Sequence, residues 1–584
     1  MEARNDIEDT SERGETTPLL DRDHKNPFEQ DGSLHGRSAL RDKTGNWQAA
    51  SIILGVQCLE SSAYYGIATN LVTYLNNIVH QGNASIASSI TTWAGTSLLT
   101  PILGAVMADS YWGRYQTIFI SALVYLLGTV IVTLSAFLSF LKSPSCDGNS
   151  CPAATEAQKL VFFSGLYLVA IGSGGVKSSL LPLGGDQFDD EDPVEKVKKS
   201  YFFNWFYLSI NIGAVIASTL VVWIQDNVSW AVGFGISTLF MCFAVGRFIS
   251  GRALYRVQKP SGSPLNRVLQ VLIASVRKRK MKVPTDSCSF YELHEANSSR
   301  KLLHTDEFRF LDKAATLSET ELQNGNHHNP WILCPVTQVE ELKILIRLLP
   351  IWFTSVVYSV SYAQMFTTFI EQGIAMETKV GSFSVPPASL FAFEVICVML
   401  WVIIYDTVIR KLVASENGVS ELVRMGIGHL LMILTMSLAA LVEMKRLASA
   451  GVGKNISIGW QLPQYFFLGA SEMFDYIAQL EFFYGQAPDS MRTICTAASF
   501  LSFSLGNYLS SFVVRLVTSM TEGGDGHGWI PDNLNDGHLD YFFWTLTGLS
   551  AANFLVYVVC ARNYTHKQEQ ANYSPDADSN TSNT

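Results

Sequence analysis

Charge is what this sequence is short of. Asp, Glu, Lys and Arg make up only 16% of its 584 residues, against roughly a quarter in soluble domains. With hydrophobic residues at 48% and aromatics at 12%, there is too little polar material to cover a globular surface, and lipid is the solvent that suits the excess apolar area. A basic excess is missing too: the net charge is −10 and the pI about 5.6, which argues against a nucleic-acid partner, whose phosphates need cations. The nine cysteines form no Cys-x-x-Cys pair and show no Cys/His spacing suited to zinc. A phosphate-binding loop is absent, because Val176 stands where such a loop needs Gly before Lys177. With no catalytic triad either, the chain reads as neither an enzyme nor a holder of a cofactor or metal. Nothing near Met1 has the apolar run of about 7–15 residues that a secretory signal requires.

What the sequence has instead is a series of long apolar segments, each near the roughly 20 residues that span a bilayer. They fall near 47–76, 86–108, 115–141, 158–181, 201–225 and 229–250, then near 342–372, 386–408, 421–444, 461–485, 493–519 and 541–561. A polar stretch, 251–341, separates the two sets, giving a tail (1–46), a first bundle (47–250), a linker (251–341), a second bundle (342–561) and a second tail (562–584). This all-α arrangement of twelve transmembrane helices in two six-helix halves matches the plan of major-facilitator transporters. Lys and Arg collect at Arg114, Lys196, Lys198, Lys199, Arg277–Lys280, Arg410, Lys411, Arg424 and Arg492, which puts those loops, both tails and the linker in the cytosol. The sequons at Asn83, Asn227 and Asn455 then face outside as candidate glycosylation sites. Cys146 and Cys151 share an outer loop and are a candidate disulfide. In the first tail, Glu15 with Leu19 and Leu20 reads as an acidic dileucine sorting signal.

Ionisable residues inside a bilayer are costly and mark functional positions by default. In the first segment Gln57, Glu60, Ser61 and Tyr64 recur at helical spacing and share a face. In the fourth, Lys177 follows Gly172, Gly174 and Gly175, which permit close helix packing. In the tenth, Glu472, Asp475, Tyr476 and Gln479 repeat the same spacing. Two acids one turn apart repel unless one is protonated or paired, and Lys177 is the natural partner for one of them. Asn204, Tyr207 and Asn211, then Tyr358, Tyr362, Gln364 and Met365, then Asn507 and Tyr508 add polar stripes suited to a ligand with amide groups. Glu394 stands alone in the eighth segment.

The ordered stretches Ala63–Gly66, Gly104–Tyr115, Gly174–Lys177 with Asp186–Asp189, Phe202–Tyr207, Leu349–Trp352, Gln479–Phe483 and Asn535–Trp544 resemble the plant nitrate/peptide transporter family, the plant relatives of proton-dependent oligopeptide transporters. The likeness spans about 44–565 and is strongest to the peptide-transporting branch. It implies a major-facilitator fold and import driven by protons. It implies that Lys177 engages the substrate carboxylate and Glu472 the substrate amine. Tyr64, Tyr207, Asn211, Tyr362 and Asn507 are then expected to line the site. The likeness also implies that Asp109 and Arg114 hold a gate between helices.

One departure stands out. Where the family usually has Glu-x-x-Glu-Arg/Lys on its first helix, this sequence has Gln57, Glu60 and Ser61. Proton coupling is then expected to rest on Glu60, Glu472 and Asp475. The expected function is proton-coupled symport of di- and tripeptides. The alternatives are a transporter of nitrate, a hormone or a glycoside with weakened coupling, or a non-transporting ligand sensor. The expected partners are a small peptide or anionic metabolite, protons and the lipid bilayer, with no nucleic acid. The dileucine pattern favours the vacuolar membrane over the plasma membrane.

Overall fold

A computed structural model describes residues 44–138, 155–189, 192–257, 264–281, 283, 290–292, 302, 304–317, 329–381, 383–409, 419–487, 492–521 and 528–564. The dileucine signal and the Cys146/Cys151 pair lie outside the described residues.

Twelve helices build the bundle. The first six are α1 (Asn46–Ala68), α2 (Asn83–Met107), α3 (Arg114–Phe137), α4 (Glu156–Gly185), α5 (Pro193–Ile216) and α6 (Trp230–Ser250). The second six are α7 (Val336–Tyr362), α8 (Leu390–Ile404), α9 (Glu421–Ala450), α10 (Leu462–Glu472, continued to Gln486), α11 (Arg492–Thr521) and α12 (Leu539–Arg562). The bundle is a major-facilitator fold of two six-helix halves. Ten of these helices are long and apolar enough to cross a membrane by length and composition. The two that fall short are α1 and α10, the helices that carry Gln57 and Glu60, and Glu472 and Asp475. Their missing hydrophobicity is polar lining, affordable only where a helix faces protein or a water-filled cavity instead of acyl chains.

Glycine sets the packing of α4. A Cβ on Gly172 would lie 2.4 Å from the Tyr125 backbone nitrogen in α3, and one on Gly174 would lie 2.4 Å from Thr100 Oγ1 in α2. Both neighbours leave room only for hydrogen, so α4 is pressed between α2 and α3 and its side chains are held in register. Separate apolar cores then fill each half: Ile53, Tyr74, Trp93, Leu166 and Phe234 belong to the first, and Met432, Met436, Tyr465, Phe542 and Phe543 to the second.

The linker is a folded module on the second half. A helix over Pro264–Arg277 and the short turns at Arg309–Asp312 and Lys313–Ala315 pack on the first turns of α7. Val271, Ala274, Leu311, Ala314, Cys334, Val339 and Leu342 form their common core, and burial there pushes the Cys334 thiol up to about 11. Lys343 pairs with Asp312 at 2.7 Å and Glu340 at 2.8 Å, and Arg267 with Glu341 at 2.9 Å. Polar side chains on these turns hid them from a hydropathy reading, which starts the helix only at 342 although it begins at Val336.

Candidate functional site

α1 and α4 supply one side of the site. Lys177 Nζ stands 3.2 Å from the centroid of the Tyr64 ring. That ring is stacked on Trp93 at 5.7 Å and meets Tyr65 edge-on at 5.4 Å. An ammonium over an aromatic face is held by the ring quadrupole while its N–H groups stay open to a ligand. Glu60, on the same face of α1, lies in the field of Lys177. Gln57 Nε2 donates to Glu60 Oε2 at 3.1 Å and to Ser61 Oγ at 2.9 Å, while Glu60 Oε1 is buried without a hydrogen-bond partner. Within the expected α1 stripe, the Gln57 amide therefore links Glu60 and Ser61.

α7, α8 and α10 supply the opposite side. The Tyr362 hydroxyl donates to Glu472 Oε2 at 2.9 Å. Glu394 of α8 lies close enough to Glu472 for the two carboxyl groups to influence each other, so the residue that stands alone in sequence has a carboxyl neighbour in space. Tyr207 lies in the field of both acids, and Tyr476 in that of Glu472. Tyr65 spans the gap: it is in the field of Glu60 and of Glu472, and its ring packs 5.2 Å from Phe391 of α8.

Two expectations change. Lys177 makes no ion pair among the described residues; its ammonium rests on Tyr64, and Glu472 accepts from Tyr362 of its own half. Asp475 does not share the Glu472 face. Residues Met473–Ile477 form a π-helical turn, which takes more residues per turn than an α-helix and rotates Asp475 toward α9. There Asp475 Oδ1 lies 3.1 Å from His429 Nδ1. The His429 ring stacks on Tyr557 at 4.6 Å, and a Cβ on Gly428 would lie 2.6 Å from the Asp475 Cβ. Gln479 turns to α11, donating to Ser502 Oγ at 2.9 Å. Asn211 and Asn507 donate to carbonyls of their own helices, Tyr207 O and Phe503 O, which leaves their amide oxygens as the groups available to a ligand.

The ends of the bundle differ. Away from the linker, hydrogen bonds join the two halves. Asn83 Nδ2 donates to Pro531 O at 2.9 Å, Ser88 Oγ meets Ser511 Oγ at 2.7 Å, and Thr96 Oγ1 meets Tyr508 Oη at 2.8 Å. Ser504 Oγ donates to Gly95 O at 2.7 Å, and Arg515 to Ser88. Asn83 is buried with its amide engaged, so this closed end has no room for a glycan there, whereas Asn227 and Asn455 are exposed. On the linker face the ion pairs stay within a half. Arg114 lies 3.9 Å from Asp109 but makes its main pair with Asp186 at the end of α4. Burial raises the Asp186 carboxyl despite the guanidinium beside it. In the second half Arg424 pairs with Glu481 and covers the Tyr405 ring. One trio among the described residues, His304, Asp312 and Glu340, has the spacing for a cation. The Lys343 ammonium already lies against both of its acids, so that need is met within the protein.

Sequence reasoning missed Glu394, His429, Tyr65 and Asp186 as members of these clusters. For Glu394 a signal existed, since a lone acid in an apolar helix implies a partner on another helix.

Comparison with known proteins agrees with this geometry. Residues 115–530 match the POT family, PTR2. The chain is 51% identical to the Arabidopsis thaliana protein NRT1/PTR family 8.3 over 93% of its own length and 96% of that protein. It is 48% identical to NRT1/PTR family 8.5 of the same plant, covering 92% and 94%. Among solved structures it is similar to the POT family transporter PepTSo, with a TM-score of 0.66 at 20% identity, covering 89% of this chain and 99% of that one. It is similar as well to a POT family transporter in complex with 5-aminolevulinic acid, with a TM-score of 0.63 at 14% identity, covering 90% and 98%. The chain is a multi-pass membrane protein belonging to the POT family of transporters.

Proposed function

We propose that this protein is a proton-coupled symporter of di- and tripeptides that works by alternating access. The observation that carries the reading is the division of charge: a cation on an aromatic shelf in one half, and a carboxyl pair in the other. A peptide zwitterion presents the complement, its carboxylate to Lys177 and its amine to Glu472 and Glu394, while Tyr64, Tyr207, Asn211, Tyr362 and Asn507 meet the backbone between. Nitrate alone leaves the carboxyl pair without a partner. 5-Aminolevulinic acid, bound by a protein of similar fold, carries an amine and a carboxylate and fits the same division.

With the linker in the cytosol, the hydrogen-bonded end is the outer gate and the ion pairs around Arg114 and Arg424 flank an inner opening. Protonation of Glu60, the one acid of the α1 cluster, lowers its hold on Lys177 and frees the ammonium for substrate. Protonation within the Glu394/Glu472 pair sets whether that pair can accept an amine. Each event binds one gate state better than the other, as a shift between them requires. Asp475 lies beside His429, so we assign it to the α9–α10 contact. The dileucine at Leu19 and Leu20 supports residence in the vacuolar membrane.

Counterflow in proteoliposomes tests the substrate class. Labelled dialanine is expected to exchange against unlabelled dipeptide, and neither N-acetylated dipeptide nor nitrate should compete. Competition by nitrate with none by dipeptide would replace the peptide reading with an anion one.

A further inference from the structure

The linker helix Pro264–Arg277 has two apolar faces. Val271 and Ala274 are buried against α7 and the short linker turns. On the other side Leu269, Leu272, Ile273 and Val276 follow the i, i+3, i+4, i+7 pattern of a single helical stripe. All four are exposed, at 47%, 39%, 36% and 67%. A folded module with an open stripe of this kind has a partner. The residues at the end of the stripe identify its chemistry: Arg277, Arg279 and Lys280 are exposed and make no ion pair among the described residues. The Trp331 carbonyl accepts from Arg277 at 3.4 Å, which brings a half-exposed indole to the same end. Apolar stripe, basic end and tryptophan are the makeup of a segment that lies in a membrane interface.

The height of the module on α7 agrees. Its core reaches Leu345 and Ile346, and Arg347 binds Thr305 and Glu307 of the linker. Leu349 and Phe353 of α7 are then exposed at 43% and 60%, as side chains facing acyl chains are. At about 1.5 Å per residue, the three residues from Ile346 to Leu349 advance roughly 5 Å. The module therefore ends about where lipid contact begins.

We infer that the stripe Leu269, Leu272, Ile273 and Val276 docks on the anionic surface of the bilayer that holds the transporter, with Arg277, Arg279 and Lys280 on lipid headgroup phosphates and carboxylates. A cytosolic leaflet rich in anionic lipid attracts such clusters. Because the module is fastened to α7 by the Lys343 and Arg267 ion pairs, the docked helix moves with the second half.

The full chain in nanodiscs tests this. An environment-sensitive dye is placed on Ile273→Cys after accessible native cysteines are changed to serine, in discs of phosphatidylcholine alone or mixed with phosphatidylserine. The expected result is quenching by nitroxide-labelled lipid, protection from aqueous iodide, and an increase in both with phosphatidylserine. Replacing Arg277, Arg279 and Lys280 by Gln is expected to remove that increase while the same variant in proteoliposomes still supports dipeptide counterflow, which shows that it is folded. A dye open to iodide and untouched by lipid quencher in both discs overturns the inference. So does protection that appears only in discs holding two copies, which would assign the stripe to a second copy of this chain.

Discussion

α4 and α10 occupy corresponding places in the two halves, and their comparison explains the site. Each carries an ionisable residue of the proposed ligand site, Lys177 in one and Glu472 in the other. Each places an acid nine residues farther on, Asp186 and Glu481, and that acid pairs with an arginine in the first turn of the preceding long helix, Arg114 or Arg424. In each, that residue meets a tyrosine from the first helix of its own half: Tyr64 lies under the ammonium, and Tyr362 donates to the carboxylate. The scaffold is repeated while the sign of the central charge is reversed. On the proposed peptide reading, a pocket between such halves is polarised and suits ligands with a charge of each sign.

The comparison can be broken at the proton, where the largest effect is expected. Glu60→Gln should abolish accumulation driven by an imposed pH gradient while dipeptide exchange persists, because the proton site is lost and the ligand site is kept. Asp475→Asn should preserve gradient-driven accumulation, since Asp475 faces His429. Uptake into proteoliposomes with and without a gradient separates the two. Loss of coupling in Asp475→Asn alone would move the proton site to the α9–α10 contact.

Next in size are the ligand contacts. Lys177→Ala and Glu472→Gln should each weaken dipeptide binding roughly tenfold to a hundredfold, the range for losing a charge-assisted hydrogen bond of about 1.5–3 kcal/mol. Isothermal titration measures this in detergent.

Packing at the π turn comes third. Gly428→Val puts a branched side chain against the Asp475 backbone and should destabilise the second half by about 1–3 kcal/mol, read as a lower melting temperature. The equivalent contact in the first half, Gly172 against Tyr125, should respond alike to Gly172→Val.

The smallest effect is expected at the linker face. Arg114→Ala and Arg424→Ala remove partly exposed pairs worth about 1 kcal/mol or less. Each should change the transport rate by only a few-fold, and the two should resemble each other. A large loss in one alone would show that the repeated device has unequal duties.

Much of this was legible in the sequence, for reasons particular residues make plain. Lys177, Glu60 and Glu472 stood out because charge is rare in segments that cross a bilayer, and Tyr64 followed from helical spacing. The π turn did not: it is a change in backbone hydrogen bonding, and the spacing of Glu472, Asp475 and Gln479 assumes a regular α-helix. Glu394 acquired its meaning from Glu472 on another helix, a contact that periodicity within one segment does not encode. The linker helix was hidden by averaging, since its Leu269–Val276 stripe is diluted by the polar residues around it.

Affinity for ligands stripped of one charge at a time bears most directly on the two-sign pocket. Dipeptide, N-acetylated dipeptide and C-amidated dipeptide are titrated into the native chain, Lys177→Ala and Glu472→Gln. The native chain should discriminate against both blocked ligands. Lys177→Ala should lose discrimination against the amidated one only, and Glu472→Gln against the N-acetylated one only. If each variant loses both discriminations together, or neither, the two halves do not hold opposite ends of one ligand.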